Sequence, residues 1–431
     1  MTDSSAAKPS ESTAPTGATA AEAADQSQAQ PGARRAALVF IFVTVVLDVL
    51  ALGIIIPVLP ELVKQFLGGD TRRAAEIFGV FGLMWGMMQF IFSPVMGTLS
   101  DRFGRRPVLL ISTFGLGLDY VLMALAPTLS WLFVGRVISG ITSASFTTAA
   151  AYIADVTPAH KRAGGFGMLS AAWGLGFVLG PALGGTLGEI DLRLPFWVAA
   201  GCTLLSAAYG LFVLPESLPR EKRAAFSFRR ANPIGALALL RSHPELLGLA
   251  AVLQIYFLAH EVLPSTFVLY TDYRYGWSQQ AVGLTLATAG VCSMFVQGLL
   301  VQPFVRRFGE RRGMIAGLVF GTIGMAIFGL ATVGPVFLCG LPFISLWGLF
   351  GPSAQSLMTQ RVGPSEQGKL QGALNGLRGM ADMAGPVVFT TTFAAFIETG
   401  RGFELPGASF LLGALLLLCA AALAWRVTRA K

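Results

Sequence analysis

Seven ionisable side chains stand inside long apolar runs of this sequence, where their types and spacing suit proton or ligand chemistry. Asp48 lies in VVLDVLALGIII, Asp119 in GLGLDYVLMALAP, and Arg136 early in the run that follows. His260 precedes Glu261, and Arg378 and Asp382 are four apart, so those two share a helix face. A carboxylate at the centre of a bilayer costs at least about 2.5–3.5 kcal/mol on insertion scales, so groups of this kind are rarely idle. Asp48 and Asp119 have no countercharge three or four positions away, which assigns at least one of them to a proton or a ligand. The others have structural alternatives. Arg378 and Asp382 can neutralise each other, Arg136 can tie its helix to a neighbour, and His260 and Glu261 can lie in water near the outer end of their span.

The elements that must position these groups are membrane helices. The chain has 431 residues, 54% hydrophobic and 13% charged, with mean hydropathy +0.66. Soluble domains carry roughly 25% charged residues. About twelve apolar runs recur, the first near 36–58 and the last near 407–425, each long enough for a bilayer core of about 30 Å. The alternation of barrel strands is missing. The expected organisation is a disordered tail over 1–33, six spans over 34–214, a polar linker over 215–245 and six more spans over 246–431.

The net charge of +8 follows topology rather than nucleic acid. Lys and Arg collect in alternate loops: Arg102, Arg105 and Arg106; Lys161 and Arg162; Arg220, Lys222, Arg223, Arg229, Arg230 and Arg241; Arg306, Arg307, Arg311 and Arg312. The other loops balance them, as with Lys64, Arg72 and Arg73 against Glu61, Asp70 and Glu76. The positive-inside rule then places both termini in the cytoplasm.

The two sets of spans are repeats. RFGRR (Arg102–Arg106) returns as RFGER (Arg307–Arg311), Gly180-Pro181 as Gly385-Pro386, and Gly167 as Gly372, each pair 205 positions apart. Parallel six-helix repeats are a secondary-transporter architecture with a binding site near the midplane. Within the fifth span, Gly176, Gly180 and Gly184 give small-xxx-small spacing around Pro181, a close-packing face on a bent helix.

Several functions are excluded. GPSEQGKL (Gly363–Leu370) lacks the hydroxyl that ends a phosphate loop. Cys202, Cys292, Cys339 and Cys419 fall inside apolar runs without metal spacing, and only three histidines occur. The reading is therefore not an enzyme, with no cofactor and no metal. A channel would need a filter or charged ring, which the sequence does not display.

Taken together, the chain resembles the major facilitator superfamily, and within it the twelve-helix drug/proton antiporters of the tetracycline-efflux type, from about residue 36 to 425. GTLSDRFGRR (Gly97–Arg106) is similar to the family's loop signature between helices two and three. GRVISGITSAS (Gly135–Ser145) resembles the helix-four signature around Arg136, and GFVLGPALGG (Gly176–Gly185) the helix-five signature of antiporters. The resemblance implies an all-α membrane fold of two homologous six-helix bundles. It implies a monomeric, proton-coupled exporter of amphipathic small molecules in the bacterial inner membrane, with lipid as its surroundings. The alternative is a metabolite transporter of the same fold, and less so a channel or membrane enzyme.

By the same resemblance Asp48, Gln89 and Asp119 stand where tetracycline pumps carry functional polar residues. Gly97, Asp101, Arg102, Gly104, Arg105 and Arg106 form a gating loop, and Arg136 couples to proton movement. Gly176, Gly180, Pro181, Gly184 and Gly185 carry the antiporter signature. Two positions depart from the branch: Gly321 stands where it has an Asp in helix nine, and Ser293 where it can have a His in helix eight. His260, Glu261 and Asp382 are offered instead. Asp101 is expected to latch the two halves. The second copy, with Gln302 and Arg306 at the places of Gly97 and Asp101, lacks that device.

Overall fold

Proline and glycine decide where each apolar run bends. In the computed structural model the described residues are 31–142, 145–157, 162–225, 239, 243–363, 366–398 and 404–429, and they contain helices and turns without a strand. Positions 1–30, Lys161, Arg229, Arg230 and Arg241 lie outside them, so most of the expected tail and residues 226–238 of the expected linker do too. The first helix begins at Pro31, within the stretch expected to be tail.

The described helices group into twelve spans. Span 1 is Pro31–Ile55 and, after a turn at Pro57, Leu59–Phe66. It runs eight residues beyond its expected end because Pro60 opens a new helix. Span 2 is Thr71–Phe103, capped by the Asp70 carboxylate accepting from the Arg73 N–H at 3.0 Å. Span 3 is Arg105–Leu125, span 4 is Leu129–Thr142 with Ser145–Val156, span 5 is Arg162–Ile190 and span 6 is Leu194–Val213. In the second half, span 7 is Pro244–His260 and Val262–Tyr275. Span 8 is Gln279–Phe295 and Val301–Phe308, joined by a π-helical turn at Val296–Leu300. That turn sits where Pro303 removes the donor its carbonyls would need. Span 9 is Glu310–Leu330, and span 10 runs in short helices from Gly334–Leu338 to Phe350–Thr359. Span 11 is Gln367–Phe396 and span 12 is Ala408–Val427.

Ten of these are long and apolar enough to cross a bilayer on composition alone. The other two are span 4, whose apolar piece Leu129–Thr142 is short, and span 11, which carries Lys369, Arg378 and Asp382. The outer surface is apolar, with Phe212 85% and Ile111 72% exposed, as a lipid-facing surface requires. The repeat is visible in the backbone. Spans 2 and 3 join at Gly104 with φ 107°, and spans 8 and 9 join at Gly309 with φ 82°, both left-handed positions that favour glycine.

The halves meet where span 2 packs on span 11 and span 5 on span 8. Both contacts are glycine-lined. A Cβ at Gly86 would stand 2.6 Å from the Asp382 carbonyl oxygen, and one at Gly290 would stand 2.7 Å from a Val178 methyl. At the face opposite the termini, polar ties cross between halves: Lys64 to Asp272 at 2.5 Å, Arg72 to Glu398 at 2.8 Å, and the Gln280 N–H to Glu189 at 3.4 Å. The sequence balance of Lys64 with Glu61 and Arg72 with Glu76 is present, at 3.6 and 3.4 Å. The ties to the second half come in addition. At the terminal face the described ion pairs join residues of one half, as in Arg105 with Asp101 at 2.6 Å and with Asp155 at 3.2 Å.

Candidate functional site

Spans 1 to 4 gather the first half's polar groups. Asp119, on span 3, is 1% exposed. It faces span 4 where Gly135 leaves room, since a Cβ there would lie 3.1 Å from its Oδ1. Arg136 follows at once, and its guanidinium stands 5.5 Å from the Trp85 ring centre on span 2. The charges of Asp48, Asp119 and Arg136 all act on Tyr120, a buried phenol. Gln89 is half-buried one turn beyond Trp85.

This cluster has unmet hydrogen-bonding capacity. Both carboxylate oxygens of Asp119, Nε of Arg136 and Nε1 of Trp85 are buried without a hydrogen-bond partner among the described residues. Each such group costs about 1–3 kcal/mol. No ion pair within the 4.0 Å limit joins Asp119 to Arg136 among the described residues. A fold that needed Arg136 only as a tie would close that pair. Two acids, one fixed cation and a phenol, set apart rather than paired, form a site able to bind a polar group or move a proton.

The second half places its groups on spans 7, 10 and 11. Span 7 breaks at Glu261, with 17 helical residues before it and 14 after. His260 and Glu261 therefore lie at the middle of the span, not near its outer end as one reading of the sequence had it. The reason is length, because the span continues through polar Thr271, Asp272 and Tyr273 to Tyr275. Glu261 packs on Gly385 of span 11, where a Cβ would lie 2.6 Å from its Cγ. Asp382 of span 11 lies within electrostatic reach of Glu261, with the charge of Arg378 nearby. Among the described residues Arg378 and Asp382 form no direct ion pair, although the Arg378 charge acts on Asp382 along the helix.

Aromatic rings frame this second cluster. Tyr256 stacks on Phe350 at 4.0 Å, and Trp347 lies 5.2 Å from Tyr256 and 5.4 Å from His260. His260 Nδ1 is 4.0 Å from Glu261 Oε1. Sequence reasoning did not single out Trp85, Tyr120, Tyr256 or Trp347. Two weak signals existed: Tyr120 adjoins Asp119, and Trp85 precedes Gln89 by one turn.

The two departures have a spatial counterpart. A Cβ at Gly321 would lie 2.8 Å from Trp347 Cγ and 3.0 Å from a Leu417 methyl. The indole therefore fills the space that a side chain on span 9 would use. Ser293 is half-buried on span 8.

The signature glycines of span 5 face two ways. Gly176 lies against Val49, Gly180 against Gly53 and Gly184 against Ile54, all on span 1. A Cβ at Gly180 would be 2.6 Å from Gly53 Cα. Gly185 and the Pro181 carbonyl instead meet Gln279 and Gly283 of span 8. The same helix thus holds the Asp48-bearing span on one side and the second half on the other.

The loop at Gly97–Arg106 binds its own half. Besides its pair with Arg105, Asp101 accepts from the Ala224 N–H through its carbonyl at 3.0 Å. Glu216 accepts from the Arg105 N–H at 2.9 Å, and Arg106 donates to the Leu211 carbonyl at 2.6 Å. Arg102 is exposed, with its guanidinium over Phe103. Nothing lies within 4 Å of a Cβ built at Gly97. The expected latch between halves is not made by Asp101 in this conformation, because Arg105 holds its carboxylate from within the same turn.

Comparison with known proteins agrees with this architecture. The Major Facilitator Superfamily profile matches residues 41–386. The tetracycline resistance protein, class C, of Escherichia coli is 36% identical over 388 residues, covering 90% of this chain and 96% of that protein. The class B protein of Escherichia coli is 33% identical, covering 81% and 87%. Among solved structures, the human organic anion transporter MFSD10 (TETRAN) aligns with TM-score 0.68 at 25% identity, covering 91% of this chain and 99% of that one. The nucleoside transporter NupG has the same fold, with TM-score 0.74 at 15% identity, covering 91% and 99%. With its twelve spans, its two matching halves and these relatives, the chain belongs to the Major Facilitator Superfamily and is a multi-pass membrane transporter.

Proposed function

We propose that this chain is a proton-coupled antiporter that exports amphipathic, tetracycline-like molecules across the bacterial inner membrane. The observation that carries the reading is the buried set Asp119, Arg136 and Trp85, with polar atoms left unpartnered inside the membrane. The relatives named for tetracycline resistance point the same way. Asp48, Asp119 and Arg136 serve proton coupling in the first half. Glu261, Asp382, Arg378 and His260 supply a second polar station in place of the branch's helix-nine Asp and helix-eight His. With both termini cytoplasmic, the tied face is periplasmic.

Uptake into inverted vesicles tests this. Tetracycline and other amphipathic compounds should accumulate when a pH gradient is imposed, release protons on addition, and lose accumulation with an uncoupler. Accumulation that ignores the gradient refutes the coupling. Proton flux that needs no substrate would make the chain a channel instead.

A further inference from the structure

A small, mostly apolar pocket carrying four polar side chains lies inside the first half, away from its contacts with the second. Its walls include Thr44, Asp48, Thr113, Ser206, Ala207 and Leu214. Three buried atoms in those walls, Thr44 Oγ1, Asp48 Oδ1 and Ser206 Oγ, have no hydrogen-bond partner among the described residues. Ser206 is 1% exposed and Thr113 4% exposed. A small pocket with two to four such partners is where proteins hold ordered water.

The pocket has a direction. It reaches from Asp48, well inside span 1, to Leu109 near the start of span 3 and Leu214 just past the end of span 6. Those ends stand at the terminal face. Span 6 packs against both span 1 and span 3, whereas the second half is met mainly through spans 2 and 5. The pocket therefore lies on the terminal-face side of Asp48, within the first half, under the buried side chains of Ile41 and Leu214.

We infer that this pocket seats ordered water through which protons travel between the terminal face and Asp48, apart from the substrate's route between the halves. The inference rests on the proton-coupled reading above. In the transfer, an O–H bond of a protonated water breaks as one forms on the Asp48 carboxylate, leaving neutral water. Of the titratable groups, Tyr120 on span 3 lies within reach of the Asp48 charge, and the same phenol feels Asp119 on span 3 and Arg136 on span 4. Span 6 adds the Ser206 hydroxyl, and span 5 adds the uncharged glycine face of Gly176 and Gly180. The pocket-lining hydroxyls thus position the water, and Asp48 receives the proton.

The test uses the full chain in proteoliposomes and two readouts: substrate-driven proton movement, and substrate-for-substrate exchange, which needs no net proton transfer. Ala207→Leu plugs the pocket, while Ser206→Ala and Thr113→Val strip its hydroxyls. Proton-coupled transport should fall about tenfold in the plugged form and by a smaller factor in the stripped ones, with exchange persisting. Ser206→Thr, which restores a hydroxyl, should recover coupling and guards against mere misfolding. Full proton coupling in both Ala207→Leu and Ser206→Ala overturns the inference, as does an equal loss of exchange and coupling in Ser206→Ala. Wild-type protein that exchanges substrate without moving protons would overturn the antiport reading itself, so the two failures are distinguishable.

Discussion

Lys64 on span 1 donates to Asp272 on span 7 at 2.5 Å, joining residues 208 positions apart at the face opposite the termini. Their side chains are 17% and 22% exposed, so water screens the pair only in part. Asp272→Asn should weaken the closed face by about 1 kcal/mol, shifting the conformational balance roughly fivefold. Cysteine accessibility on the two faces reads this directly. An unchanged pattern would remove the tie from any role in closure.

Asp48→Asn should abolish substrate-driven proton release while the protein is still made and inserted. Arg136→Ala should inactivate or uncouple transport. Arg136→Lys should not rescue it, because a point charge on a flexible stem cannot reproduce a planar guanidinium over Trp85. Wild-type coupling in Arg136→Lys would leave the stacking irrelevant. These are vesicle measurements with a pH-sensitive dye and a drug assay run in parallel.

Gly180→Ala should destabilise the first half by about 1–3 kcal/mol, since the added Cβ meets Gly53 Cα at 2.6 Å and neither backbone has room to give. Gly97→Ala, at a place with open space, is the control and should be silent. Thermal unfolding in detergent compares the two. Equal melting temperatures would mean that span 5 moves away from span 1 without cost.

Gly321→Asp would restore the acid of the tetracycline branch on span 9, yet it should lower stability rather than improve efflux. The carboxyl would enter a place filled by Trp347 and Leu417, at an insertion cost of about 2.5–3.5 kcal/mol. Improved drug export in Gly321→Asp would contradict the view that Trp347 has taken over this space.

Much of this was legible along the chain because membrane helices announce themselves by length and hydropathy. The 205-residue repeat proved to mark equivalent turns at Gly104 and Gly309. Asp48, Asp119 and Arg136 were readable since charge inside apolar sequence is conspicuous. Their grouping around Tyr120 was not, because a tyrosine in an apolar run looks like packing. The Lys64–Asp272 and Arg72–Glu398 ties were invisible for a different reason. Each cation already had an acid of its own three or four positions away, which satisfied the local count. Of the two readings open for Glu261, mid-span or near the outer end, only the length of span 7 decides for the middle.

The two glycine-lined contacts between the halves have a mechanical meaning. Where Gly86 lies on Asp382 and Gly290 on Val178, one wall of each joint is bare backbone, with no protruding side chain to lift out of a socket. Such a joint acts as a bearing with few teeth: it lets one half roll on the other while staying in touch, with side chains such as Phe90 against Gly379 as its shallow stops. The firm stops must then come from the rim, from ion pairs such as Lys64 with Asp272. The resting position of the machine is accordingly set by a handful of charges at its edge, while the broad surfaces between only guide the movement.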